Sequence, residues 1–202
     1  MYKLMMCALL LSSALYGNSG LDRLMRGNKY FVDTGFELLC QKTQDRRALI
    51  SRQEPFAIIV GCSDSRVPPE LIFNQGFGDL FVVRVAGNVI GPIELDSIEF
   101  SATYLRSSVI LVLGHENCGA VEAVIEGTTK DIENVAALIA PAVEGQRKRD
   151  PENLLEASTK ANARRMRDYL LKSPVIKKLV SNRKLEVYAG YYHQKTGLVE
   201  LL

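Results

Sequence analysis

The sequence lacks tryptophan altogether, and no block of one charge is found in it. Among its 202 residues, 25 Lys and Arg nearly balance 23 Asp and Glu, which leaves a formal net charge of +2. Nucleic-acid-binding domains usually carry a clustered basic face, often with aromatic side chains for base stacking. We therefore expect no nucleic-acid partner. The length is sufficient for one domain with a substantial hydrophobic core.

An apolar run long enough to span a membrane is also missing. The apolar stretch near the amino terminus covers only residues 4–16, after one lysine and before small and polar residues at 17–20. A spanning helix needs about 20 apolar residues, whereas this pattern is typical of a secretory signal peptide. We predict a signal peptide at residues 1–19, cleaved near Gly17 or Ser19, and a single domain at 20–202. The mature protein would be periplasmic or otherwise exported, with no stable membrane span after processing; the alternative is a cytoplasmic protein whose first helix is buried or binds a partner.

Cysteine is sparse, and its positions do not suggest disulfides. Cys7 lies in the predicted leader, and Cys40 lies in a helical pattern where it resembles a small buried apolar residue. Cys62 and Cys118 remain, each after a predicted strand and with a histidine nearby. Three cysteines in a mature chain cannot all be paired with one another. Metal ligation explains Cys62 and Cys118 better than a bridge does.

Short apolar runs alternate with helical patterns along the rest of the chain. The predicted strands are 56–61, 80–85, 108–114, an alternating strand at 184–192 and a final edge strand at 198–202. The predicted helical stretches are 21–52 (divided at Gly27 and Gly35), 68–73, 93–105, 118–126, 131–171 (broken near Pro141, Gly145 and Pro151) and 174–179. This order predicts an α/β fold, with a central mainly parallel sheet of about four parallel strands plus an antiparallel edge strand, flanked by helices.

Three metal-ligating side chains follow two of these strands. Cys62 comes directly after the first strand, while His115 and Cys118 follow the third. Because sites in parallel sheets form beyond the carboxyl ends of the strands, we expect these side chains to meet. Two thiolates, one imidazole and an open position are typical of catalytic zinc. The alternatives are buried apolar cysteines with a core histidine, or a structural zinc with Asp64 as fourth ligand; a phosphatase-type Cys62 is excluded because only three residues separate it from Arg66.

Asp64 and Arg66 lie in the same loop as Cys62. Two thiolates already neutralise Zn²⁺, so a carboxylate ligand would make the centre formally negative. A bidentate pair with Arg66 can hold Asp64 off the metal and keep it ionised. Asp64 then orients the nucleophile in an open state and becomes a metal ligand only in a closed state. This is our hypothesis for the two residues.

The motifs together resemble those of the β-class carbonic anhydrases. The resemblance rests on Cys62-Ser63-Asp64-Ser65-Arg66, on His115-x-x-Cys118-Gly119, on the segment from Phe81 to Asn88 and on the closing segment from Gly190 to Gly197, and it covers about residues 25–202. It implies one Zn²⁺ per subunit on Cys62, His115 and Cys118, with Asp64 and Arg66 as the catalytic dyad. It also implies a homodimer or higher homo-oligomer, with the cleft at a subunit interface and the amino-terminal helices packing on the partner.

The resemblance extends to the substrate cleft. Gln53 matches a glutamine that helps to bind substrate in the plant-like subtype, Phe81 matches an aromatic residue of the cleft, and Gly119 completes the second motif as a further substrate-binding position. Relatives with a noncatalytic bicarbonate pocket have tryptophan where this chain has Ile59. The plant-like, constitutively open subtype is therefore expected. His193, in a predicted turn, is expected to be solvent-exposed.

The resulting prediction is a zinc lyase that reversibly hydrates CO₂ to bicarbonate and a proton. Zinc-bound hydroxide, oriented by Asp64 and Arg66, attacks the carbon. Hydrolysis of a sulfur analogue such as COS or CS₂ is the alternative within enzymes. A structural zinc module or a bicarbonate sensor is the alternative outside them.

Overall fold

The fold is organised around one five-stranded sheet. The computed structural model describes residues 19–35, 47 and 49–202. The strands are β1 (Ala57–Gly61), β2 (Leu80–Arg84), β3 (Val109–His115), β4 (Glu186–Tyr192) and β5 (Val199–Leu201). Their order is β2-β1-β3-β4-β5; the first four are parallel and β5 is antiparallel to β4. The predicted fold class is confirmed.

The central strands β1 and β3 are buried along their whole length. Their nearly unbroken apolar sequences are what a parallel strand covered on both faces requires. Gly61 is in register with Leu113, so both strands end at the same edge of the sheet. The alternation predicted for β4 is wrong, because its last four residues are all buried.

Helices connect and cover the strands. They are α1 (Gly20–Thr34), α2 (Pro69–Ile72), α3 (Pro92–Phe100), α4 (Gly119–Glu126), α5 (Glu133–Arg147), α6 (Leu154–Leu170) and α7 (Pro174–Ser181). A π-helical turn, Ser101–Leu105, extends α3. Helix α6 packs on β3 and β4, and α5 packs on α6. No helix in the described part of the chain is both long and apolar enough to cross a membrane.

Three predicted helix interruptions are wrong. Gly27 does not divide α1: a Cβ there would lie 1.9 Å from the Phe73 carbonyl oxygen, so glycine permits close packing inside an unbroken helix. Pro141 and Gly145 do not break α5, whose buried face includes Ile139 and Val143. Burial of that face outweighs the helix-breaking preference of single residues. The predicted break near Pro151 and the end of α1 at Gly35 (φ 70°) are observed.

Helix α1 packs on its own domain. Leu24 is fully buried, and the buried Asn28 side chain donates to the carbonyl oxygens of Ile72 and Gly197. The same side chain accepts a hydrogen bond from the Val199 N–H. The other faces of α1 do not take part in these contacts. Their packing on a partner subunit stays a prediction. Residues 1–18 of the predicted leader and Cys40 lie outside the described residues.

Candidate metal centre

The three predicted ligands converge at the carboxyl ends of β1 and β3. One donor atom each from Cys62, His115 and Cys118 lies within 4.8 Å of the others, and all three residues are buried. Since β1 and β3 are adjacent, parallel and in register, the residues that follow them reach the same point. The structure therefore brings this predicted set together. Both Cys62 and Cys118 have free thiols, as the sequence analysis expected for metal ligands.

The imidazole of His115 is arranged as a ligand. Its Nδ1 lies 2.9 Å from the Glu116 carbonyl oxygen, which can only accept, so Nδ1 carries the proton. Its Nε2 is buried and has no hydrogen-bond partner among the residues that the structure describes. A buried nitrogen lone pair facing two thiols is costly unless something binds it. A soft divalent cation such as zinc fits this donor set.

The two thiols have opposite ionisation tendencies. Hydrogen bonding from Cys118 lowers the pKa of Cys62, and the N–H groups of Asp64 (3.4 Å) and Gly87 (3.3 Å) also point at its sulfur. The pKa of Cys118 is raised by the hydrogen bond to Cys62 and by burial. Two adjacent buried thiolates repel one another. A divalent cation between them removes that repulsion, which is a further fit to the donor set.

Gly87 shapes the wall behind Cys62 and was not identified from the sequence as a site residue. Its φ is 66°, and a Cβ at this position would lie 2.6 Å from the Ile139 side chain. Asn162 on α6 donates to the Gly87 carbonyl oxygen at 2.8 Å and so fixes the turn. The Gly87 N–H is thereby directed at the Cys62 sulfur. The glycine belongs to a motif that the sequence analysis noted without assigning it a role.

Asp64 and Arg66 form the predicted bidentate pair. Arg66 Nε donates to Asp64 Oδ1 at 2.9 Å and Nη2 donates to Oδ2 at 2.7 Å. These hydrogen bonds hold the pKa of Asp64 well below its usual range, while partial burial opposes the effect. Arg66 also donates to the Asn117 carbonyl oxygen at 3.0 Å, which links the two ligand-bearing loops. Asp64 Oδ2 lies 4.0 Å from His115 Nε2.

A second arginine, Arg84, holds the same loop from behind. Its Nε donates to the Cys62 carbonyl oxygen at 2.9 Å, and its Nη2 donates to the Asp64 carbonyl oxygen. Arg84 is the last residue of β2 and is in register with Gly61. The sequence analysis missed its role. A charged residue at the end of a strand next to β1 was the signal that could have identified it.

The predicted substrate-binding residues are not all close to this site. Gly119 opens α4 directly after Cys118 and is exposed, with open space where a Cβ would point. Phe81 pairs with Ile58, four residues before Cys62, about 13 Å along the strand. Gln53 is exposed and precedes β1, so it lies at the opposite end of that strand. Within one chain, Gln53 and Phe81 do not join Cys62.

His193 differs from its prediction as well. Its side chain is 33% exposed and its Nε2 lies 3.1 Å from Glu200 Oε2. Its ring also packs edge-on against Tyr191. The turn containing His193 therefore folds back on the sheet instead of extending into solvent. Sequence alone could not show this, because the contact depends on how β5 returns beside β4.

Comparisons with known proteins agree with the geometry. Residues 57–199 match the family model described as carbonic anhydrase. The chain is 44% identical over 126 residues to carbonic anhydrase 2 of Mycobacterium tuberculosis, covering 59% of this chain and 61% of that protein. It is 34% identical over 185 residues to the carbonic anhydrase of Mycolicibacterium smegmatis, covering 88% and 89%. The match thus spans about three fifths of the first relative and most of the second.

Solved structures specify the class. The β-carbonic anhydrase CcaA is similar with a TM-score of 0.72 and 26% identity, covering 91% of this chain and 95% of that one. The Coccomyxa β-carbonic anhydrase, solved with acetazolamide, has a TM-score of 0.68 and 26% identity, covering 90% and 86%. The fold and site define a β-class carbonic anhydrase architecture. The chain belongs to the carbonic anhydrase family.

Proposed function

We propose that this protein catalyses the reversible hydration of CO₂ to bicarbonate and a proton, as a zinc enzyme. The observation that carries the proposal is the convergence of Cys62, His115 and Cys118, next to a carboxylate that Arg66 holds ionised. Family membership and the relatives named as carbonic anhydrases support the reaction. A zinc ion held by these three side chains supplies the Lewis-acid chemistry that makes water nucleophilic near neutral pH.

Asp64 orients the attacking water in this proposal. An ionised carboxylate can only accept hydrogen bonds, so it fixes the direction of the water O–H and leaves an oxygen lone pair free for the carbon of CO₂. Its side chain is 17% exposed and is fixed by two hydrogen bonds from the Arg66 side chain. Arg66 is the positioning partner. Protons released by the reaction leave through the solvent-facing side of this loop, where Ser63, Ser65 and Arg66 are exposed.

The open state is the one that the geometry favours. The cluster of potential ligands contains Cys62, His115 and Cys118, while Asp64 is engaged by Arg66. Both carboxylate oxygens accept from the guanidinium, so ligation by Asp64 would require that this pair separate. The closed state with Asp64 as fourth ligand is thus a minor alternative for this chain. Ile59, in the middle of the buried strand β1, is consistent with the plant-like subtype.

A homodimer or higher oligomer completes the substrate cleft. Gln53 and Phe81 lie away from Cys62 of their own chain, so they can contribute to the cleft only if a partner subunit places them there. Strand β2 is the edge of the described sheet and is partly exposed along its length. This edge is where we propose that a second copy docks. Two solved β-carbonic anhydrases of Sordaria macrospora, similar to this chain in fold at 22% identity, are described as tetrameric.

Export of the mature protein remains part of the proposal. The apolar stretch at residues 4–16 and the small residues that follow it support a cleaved signal peptide. Amino-terminal sequencing of the secreted or periplasmic protein would locate the cleavage. Recovery of the uncleaved chain in the cytoplasm alone would contradict it.

The experiment that tests the catalytic role is the substitution Asp64→Asn. Asparagine keeps the size of the side chain but lacks the charge, so we expect zinc content to stay unchanged and CO₂ hydration to fall by about 10²-fold or more. Stopped-flow hydration and metal analysis on the purified protein measure both quantities. Asp168→Asn, which alters a surface Asp–Arg pair on α6, is the matched control.

Three outcomes would contradict parts of the proposal. Near-normal hydration by Asp64→Asn would remove the role given to Asp64. Stoichiometric zinc without hydration in the unmodified protein would identify a structural zinc or a bicarbonate sensor. Faster turnover of COS or CS₂ than of CO₂ would reassign the substrate.

A further inference from the structure

The turn between β4 and β5, residues 193–197, lies against the metal-ligand loop. Glu116 makes two of the contacts between them. Its backbone N–H donates to the Tyr192 carbonyl oxygen at 2.9 Å, and its carboxylate Oε2 accepts the Lys195 backbone N–H at 3.0 Å. One residue of the His115–Cys118 loop therefore holds the start and the middle of this turn.

The far end of the turn is fixed as well. Asn28 of α1 donates to the Gly197 carbonyl oxygen at 2.7 Å and accepts from the Val199 N–H at 2.8 Å. Within the turn, the Gly197 N–H donates to the His193 carbonyl oxygen at 2.8 Å. The turn is consequently held at both ends and across its middle. Removing the central contact would leave the Lys195 N–H without its hydrogen bond from the ligand loop.

The fixed turn covers one side of His115. The Gln194 side-chain amide nitrogen lies 3.4 Å from His115 Nδ1, next to the Glu116 carbonyl oxygen at 2.9 Å from the same atom. The imidazole is only 1% exposed. Because Nδ1 faces the Glu116 carbonyl oxygen and the Gln194 side chain, the opposite ring nitrogen, Nε2, is directed at the two thiols. Such outer contacts of a ligating histidine set its tautomer and its orientation.

We propose that Glu116 is a positioning residue for the metal site. Its carboxylate holds the β4–β5 turn against the Nδ1 side of His115. This packing keeps the ring in the orientation in which Nδ1–H donates to the Glu116 carbonyl oxygen and Nε2 faces Cys62 and Cys118. Glu116 acts through the length of its side chain, which reaches the Lys195 N–H, and it does not touch the metal. The inference rests on the proposed function only in taking zinc as the bound metal.

Three substitutions at Glu116 distinguish the effect of side-chain length from the effect of side-chain charge. Glu116→Gln keeps the reach and an accepting oxygen, Glu116→Asp keeps the charge but withdraws it by one methylene, and Glu116→Ala removes both. We expect zinc affinity, measured by competition with a chromophoric chelator, to fall by about 10-fold or more in Glu116→Asp and Glu116→Ala. Glu116→Gln should stay within about threefold of the unmodified protein, since it retains the hydrogen bond.

Lys195→Ala is the matched control, because the contact is to the backbone N–H of that residue and not to its side chain. We expect it to bind zinc like the unmodified protein. A loss in Lys195→Ala equal to that in Glu116→Ala would overturn the proposal, since a side-chain ion pair would then carry the effect. Unchanged affinity in both Glu116→Asp and Glu116→Ala would overturn it equally. Should Glu116→Ala fail to fold, by circular dichroism, Glu116→Asp decides the question.

A second readout does not depend on bound metal. Nitrogen-15 NMR of the metal-free protein reports the tautomer of His115. The unmodified protein should show the Nδ1–H form, and Glu116→Asp should show a mixture of tautomers. The same tautomer in both would overturn the proposal. If the unmodified protein binds no zinc at all, the proposed function fails, and this spectrum still decides the role of Glu116.

Discussion

The two loops that carry the metal-ligating residues are built differently. The loop after β1 is exposed at Ser63, Ser65 and Arg66 and is fixed by the charged side chains Arg66 and Arg84. The end of β3 and the loop after it have both ligands buried, His115 at 1% and Cys118 at 0% exposure. It is fixed by backbone hydrogen bonds and by its contact with the β4–β5 turn.

The difference corresponds to what each loop has to do. A carboxylate such as Asp64 must stay ionised beside a metal without binding it, and a guanidinium pair achieves this next to solvent. A histidine ligand must stay oriented, which burial and the hydrogen bond of its far nitrogen achieve. The molecule therefore places the reactive carboxylate beside Cys62 in one loop and the histidine ligand at the end of the other strand. Arg66 bridges the two loops through the Asn117 carbonyl oxygen.

The largest expected effect comes from removing a thiol of the buried loop. Cys118→Ser replaces a strong zinc ligand with a neutral hydroxyl, and we expect zinc content to fall from about one per chain to nearly none, with loss of CO₂ hydration. Cys62→Ser in the other loop should do the same. Metal analysis after dialysis measures this. Retention of stoichiometric zinc by either variant would show that the two loops do not share one ion.

An intermediate effect is expected at Arg84, the last residue of β2, which holds the exposed loop. Arg84→Lys keeps the charge but cannot form the fork that reaches the carbonyl oxygens of both Cys62 and Asp64. We expect the free energy of unfolding to fall by about 1.5–3 kcal/mol and kcat to fall by about tenfold or more through displacement of Asp64. Urea unfolding and stopped-flow assays measure the two changes. Arg149→Lys, at an exposed position, is the control; equal behaviour of the two variants would refute the role of Arg84.

The smallest effect is expected outside both loops, at Glu200 on β5. The hydrogen bond from Lys160 lowers the pKa of Glu200, with His193 adding to it. Because this pKa is lower in the folded protein than in the unfolded chain, the ionised carboxylate stabilises the fold at pH values above the unfolded-state pKa of about 4.3. That stabilisation is lost as the pH falls through the folded-state pKa. Glu200→Gln should cost under about 1 kcal/mol at pH 7, because the pair is exposed, and progressively less as the pH falls below about 4.3. Urea unfolding at pH 7 and pH 3 measures the loss, with Glu152→Gln as the control. The same loss in the free energy of unfolding of Glu200→Gln at both pH values would contradict this prediction.

Several features followed from the sequence by itself. The uninterrupted apolar runs of β1 and β3 predicted buried parallel strands, and the carboxyl ends of such strands meet at one edge. Cys62, His115 and Cys118 were therefore expected to be neighbours, and the geometry brings them together. The Asp64–Arg66 pair was predictable for a similar reason, since only one residue separates two opposite charges.

Other features were decided only by the tertiary structure. Gly27 and Pro141 stay inside helices because burial of the surrounding faces exceeds a local preference of about 1–3 kcal/mol. The contacts of Arg84 with Cys62 and of Glu116 with Lys195 join residues 22 and 79 positions apart. No local pattern encodes such contacts, because they exist only once the sheet has brought its strand ends together. The sequence determined which groups could bind a metal, whereas the folded chain determined how each is oriented and held.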